Sequence, residues 1–91
     1  MPLSVDIVAP DRTLWSGQAS FVSVQSMDGS LGVYPGHEPL LSLLAPGRVK
    51  VVKVDGDDWV VDVVRGFISM DNDVVTIGAR PADSDTDDYV D

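Results

Sequence analysis

Short alternating runs of β-branched residues restrict this chain more than any other feature. Asp6 separates Val5 from Ile7, Ser23 separates Val22 from Val24, and Trp59, Val61 and Val63 recur at every second position. Successive residues of a strand point to opposite sides, so each set occupies one face of an extended segment. Turn signals divide the runs: Pro10-Asp11, Asp28-Gly29, Pro46-Gly47, Asp55-Gly56 and Asp71-Asn72-Asp73. No longer window carries the 3.6-residue hydrophobic period of a helix. The pattern is that of an all-β sandwich or barrel, and local evidence does not choose between them. Two irregularities are expected. Gly17 marks a bulge within its strand, and the valines shift phase between Val51 and Val52, as a bulge or a strand covered on both sides would make them.

The stretch from Gly29 to Leu44 departs from this regularity. It holds three of the eight glycines, two of the six prolines and the single histidine, His37. It ends in Leu40-Leu41-Ser42-Leu43-Leu44. Four leucines so spaced cannot all face one core from a strand. Two readings stand side by side: the strand is buried on both faces, or a partner covers the outer one.

Ninety-one residues make one domain with a modest core. No apolar run reaches the ~20 residues of a membrane-spanning helix, and no signal peptide is expected from the N-terminal sequence. The chain has no cysteine, which excludes disulfides, thiolate nucleophiles and cysteine–zinc sites. Its net charge is −9, and Asp83, Asp85, Asp87, Asp88 and Asp91 supply more than half of that. Residues 1–80 are therefore read as the folded domain and 81–91 as an acidic, disordered tail, with an acidic interaction tail as the alternative. A negative chain repels phosphate backbones and anionic membrane surfaces, so nucleic acid is not expected as a partner and neither is direct membrane insertion.

Catalytic chemistry finds little to work with. His37 is the one imidazole available to a serine, it lies in a turn bounded by prolines, and there is no Gly-x-Ser-x-Gly elbow. One histidine among scattered aspartates lacks zinc spacing. Asp71-Asn72-Asp73 lacks the glycine and distal glutamate of a calcium loop and reads as a hairpin turn. No phosphate loop or dinucleotide fingerprint is present, so no cofactor and no catalytic residue is expected. Trp59 reads as core. Trp15 could act as an aromatic platform, which keeps a free-standing ligand-binding β-sandwich as the alternative function. A small hydrolase centred on His37 ranks last.

The sequence Gly29-Ser30-Leu31-Gly32-Val33-Tyr34-Pro35-Gly36-His37-Glu38-Pro39-Leu40-Leu41-Ser42, followed by Pro46-Gly47, resembles the hallmark of the epsilon subunit of bacterial F-type ATP synthase. Val5–Arg12, Trp15-Ser16-Gly17, Gly66–Met70 and Val74–Ile77 resemble further family segments in the right order, over roughly residues 3–80. The resemblance implies a two-sheet β-sandwich of about ten short strands. It implies a non-catalytic central-stalk subunit of a proton-translocating synthase, joining the gamma subunit to the membrane c-ring within the complex that also contains alpha, beta and delta. The location implied is peripheral, on the cytoplasmic face of the bacterial plasma membrane. By position, Asp28, Gly29, Ser30 and His37 would face the c-ring, and His37, Glu38, Leu41 and Ser42 would face gamma. Ser30 stands where members often carry an acid, and Glu38 where alanine is common. The family's C-terminal helical hairpin has no counterpart in the pattern of this chain.

Overall fold

In the computed structural model residues 2–82 are described, and they form seven strands. These are β1 (Leu3–Ala9), β2 (Arg12–Ser26), β3 (Gly29–Val33), β4 (Leu40–Leu44), β5 (Gly47–Lys53), β6 (Asp58–Asp71) and β7 (Val74–Pro81). No helix occurs among the described residues, so none there is long and apolar enough to cross a membrane. The tail expected at 81–91 falls outside the described residues from position 83 onward.

The all-β expectation holds, and the strand count differs from about ten for a definite reason. β2 and β6 are 15 and 14 residues long, and each passes from one layer to the other. One layer contains β3, the C-terminal half of β2, β5 and the N-terminal half of β6. The second contains the N-terminal half of β2, β1, β7, the C-terminal half of β6 and β4. β1 and β7 run parallel; the other pairs are antiparallel. The pair Ser26↔Leu44 ties β4 back to β2. The result is a sandwich whose corners are continuous strands.

Bulges make those corners. The register of β2 slips between Ala19 and Phe21, and that of β6 between Val63 and Arg65. An extra residue on one strand bends it and raises its twist, which turns the chain into the second layer. The phase shift at Val51-Val52 therefore originates in the partner strand, at Ser20. β5 itself pairs with β6 without a slip from Gly47↔Val63 to Val52↔Asp58. Gly17 pairs regularly with Val5, and the bulge of that hairpin lies opposite the Ile7/Val8 step. The missing side chain of Gly17 makes room for the Trp15 ring, 3.0 Å from where a Cβ would stand.

The core is built from alternate residues of both layers. Leu3, Val5, Ile7, Ile68, Met70, Val75 and Ile77 face Val22, Val24, Val33, Val49, Val51 and Val63, and all are buried. Removing this apolar surface from water is the main force holding the layers together. Trp15 and Trp59 pack against the cluster and on each other, with ring centroids 6.1 Å apart.

Candidate functional site

The residues singled out by the family resemblance fall on three elements. Asp28, Gly29 and Ser30 form the tip and first residues of the β2–β3 hairpin. Ser26 shapes this tip: its buried hydroxyl donates to the Gly29 carbonyl at 2.8 Å and accepts from the Asp28 N–H at 3.1 Å. The turn residues are Met27 and Asp28, between the pair Ser26↔Gly29. The Ser30 hydroxyl lies 3.1 Å from Gln25 Nε2 on the neighbouring strand.

His37 and Glu38 lie in the loop that joins β3 to β4, at the other end of β3 from the hairpin tip. A five-residue strand separates the two ends by about 15 Å. His37 N–H donates to the Tyr34 carbonyl at 3.1 Å, which closes the turn around Pro35 and Gly36. Nδ1 of His37 is 2.7 Å from the Glu38 carbonyl. A carbonyl only accepts, so this nitrogen carries a proton and is not a base aimed at a serine.

One contact that fixes the loop is invisible in the local sequence. The Gly36 N–H donates to Asp73 Oδ1 at 2.7 Å across 37 positions. Asp73 sits in the β6–β7 turn at φ 63°, and its own carbonyl accepts from Ser4 N–H at 2.8 Å. Replacing Asp73 with glycine keeps the left-handed backbone and removes the carboxylate. Amide exchange at Gly36 should then rise about fivefold, equivalent to about 1 kcal/mol, while core amides of β1 are unchanged. Unchanged exchange at Gly36 would show that the carboxylate does not hold the loop.

β4 runs between these two ends and resolves the leucine run. Leu44 is buried, and Leu40 and Ser42 are half-buried on the inner side. Leu41 and Leu43 point outward and are 76% and 65% exposed. The strand is therefore buried on one face only, and Leu41 and Ser42 lie on opposite faces. The outer row continues across the layer through the register pairs Leu43↔Phe67, Phe67↔Gly78 and Gly78↔Val8. The Phe67 ring covers Gly78, at 2.4 Å from where a Cβ would stand. Met27, 66% exposed, joins the same row through its N–H to the Leu43 carbonyl at 2.9 Å. Together they floor an open groove of about 570 Å³, with Arg65 and Arg80 at its margin. Sequence reasoning found Leu41 but missed Met27, Leu43 and Phe67 as one surface. The period-two pattern held the signal for Leu43; the joining of three elements is set by register.

Trp15 turns its ring to Trp59 and to Gly17, so those contacts occupy the surface a ligand platform would use. Among the described residues, no group of three or more His, Asp or Glu side chains is placed to hold a metal ion.

Residues 2–84 match the family described as ATP synthase, Delta/Epsilon chain, beta-sandwich domain. The chain is 49% identical over 82 residues to the ATP synthase epsilon chain of Nocardia farcinica, covering 89% of this chain and 63% of that one. It is 48% identical over 82 residues to the epsilon chain of Frankia casuarinae, covering 90% of this chain and 96% of that one. The match thus spans less than two thirds of the Nocardia protein and nearly all of the Frankia protein. A solved chain of the Euglena gracilis mitochondrial ATP synthase has the same fold, with a TM-score of 0.80 at 23% identity over 91% of this chain and 55% of that chain. With its buried two-layer core, its hairpin and its Pro-Gly-His loop in these places, the chain belongs to the β-sandwich family of ATP synthase delta and epsilon chains.

Proposed function

We propose that this chain is the epsilon-type rotor subunit of a proton-translocating F-type ATP synthase, a non-catalytic piece that joins gamma to the c-ring. The observation that carries the reading is the uncovered apolar row of β4, β6 and the β2–β3 tip. A small acidic domain that leaves Leu41, Leu43 and Met27 in water has surface suited to a protein partner. Relatives named ATP synthase epsilon chain, and a solved neighbour from a mitochondrial synthase preparation described as OSCP/F1/c-ring, support the choice of partner.

The distances divide the roles. We assign the loop and outer β4 row, His37, Glu38 and Leu41, to gamma, with Ser42 supporting that strand from inside. The hairpin tip, Asp28, Gly29 and Ser30, is assigned to the polar loops of the c-ring. Ser30 there offers a hydroxyl held by Gln25 in place of an acid, so contact at that point rests on neutral hydrogen bonds. Torque then passes through a stiff double layer rather than through any bond-making group, and the location is peripheral on the cytoplasmic side of the bacterial membrane. The assembly would contain alpha, beta and delta as well.

Mixing the purified chain with purified gamma and following sedimentation tests the first contact. A one-to-one complex at micromolar concentration is expected. Two species sedimenting independently would contradict the assignment.

A further inference from the structure

Six basic residues face fifteen acids in this chain, so an unpaired base is unexpected. Arg12, Arg48 and Lys50 each have a carboxylate within 4 Å, on Asp11, Asp62 and Asp58. Arg65 and Arg80 have none among the described residues, although they are register partners across β6 and β7. Like charges directly opposite each other on a sheet repel. Both side chains border the apolar groove floored by Phe67, Leu43, Met27 and Val8. A surface of this kind, with two cations beside an apolar floor, complements a segment that carries carboxylates beside a few large apolar groups.

Such a segment follows at once in the same chain. Residues 83–91 hold five aspartates and one adjacent apolar pair, Tyr89-Val90. The segment begins three residues after Arg80, just past Ala82, whose N–H bonds the Asp62 carbonyl at 2.8 Å. Seven residues from Ala82 to Tyr89 reach at most about 25 Å. From β7 to β4 the groove spans two strand spacings, about 10 Å. We propose that residues 83–91 dock in the groove of their own chain, with aspartates on Arg65 and Arg80 and with Tyr89-Val90 on the Phe67–Leu43 floor. Composition alone favours a solvated tail; the arginine pair that answers it is visible only once β6 and β7 are aligned. Docking covers part of the outer row assigned to gamma, so the tail and that partner compete for Leu43. The proposal itself concerns the isolated chain and stands or falls without the stalk reading.

Nitrogen-15 relaxation on the full 91-residue chain at low salt tests it. Backbone order parameters at positions 87–90 should be near those of rigid backbone, about 0.8, and should fall below about 0.6 in an Arg65→Gln/Arg80→Gln variant. An Asp85→Asn/Asp87→Asn/Asp88→Asn variant, which leaves the sandwich untouched, should show the same loss. Order parameters below about 0.6 in the unsubstituted chain would overturn the proposal. So would a tail that stays ordered in both variants. Ordering that appears only as protein concentration rises would also overturn it, because a second copy would then occupy the groove.

Discussion

Replacing Gly66 with alanine should destabilise the domain by about 3 kcal/mol, the upper end of what overpacking costs. A Cβ at this position would stand 2.1 Å from the Gly78 carbonyl oxygen and 2.8 Å from the Ala79 Cα. Both obstacles are backbone, so no side chain can swing aside. Relief requires β6 and β7 to part where the Val63/Arg65 bulge turns β6 into the second layer, next to the pairs Gly66↔Ala79 and Phe67↔Gly78. For a domain of this size, 3 kcal/mol lowers the melting temperature by roughly 12–24 °C. Gly56→Ala is the proper comparison. Gly56 has φ +96° in an exposed turn with nothing within 4 Å of a Cβ, so it carries backbone strain and no collision. That strain costs about 1–2 kcal/mol. Equal losses at the two positions, measured by urea unfolding, would show that close backbone approach at Gly66 is not what selects glycine there.

The second large effect concerns the outer face of β4. Leu41→Asp with Leu43→Asp should weaken binding to gamma at least a hundredfold, about 2.7 kcal/mol. Each substitution takes an apolar side chain from an exposed row and puts a charge where a partner would have to desolvate it. Both positions are exposed in the isolated chain, so its melting temperature should move by only a degree or two. Loss of binding together with loss of folding would indicate that the leucines support the sandwich instead. Binding within a few-fold of the original would place the gamma contact on some other face.

Much of this architecture is legible before any coordinates. Val5, Ile7, Val22, Val24 and Val63 lie inward as the period of two requires, because each strand solves the same problem of one buried and one wet face. The leucine run is half legible. Alternation says that neighbours diverge, but only the strand order shows that Leu41 and Leu43 meet no second layer. The bulges are the hardest to read. A slip at Ser20 depends on how Val52 is already paired with Asp58 on the far side of β5, and no local residue announces it. The same holds for Asp73, whose turn chemistry is plain in Asp71-Asn72-Asp73 while its bond to Gly36 is not. The motif Pro35-Gly36-His37 points to the family and to a loop; the side chains that make the adjoining surface, Met27 and Phe67, arrive from 10 and 30 positions away.

The central claim is that this sandwich works as part of a rotor. Affinity recovery of the tagged 91-residue chain from gently solubilised membranes of its own cells, with the bound proteins identified by mass, tests it most directly. The account requires gamma together with the alpha and beta subunits, in fixed proportion to the chain. Recovery of the chain alone, from an extract in which the synthase remains intact and active, would contradict it.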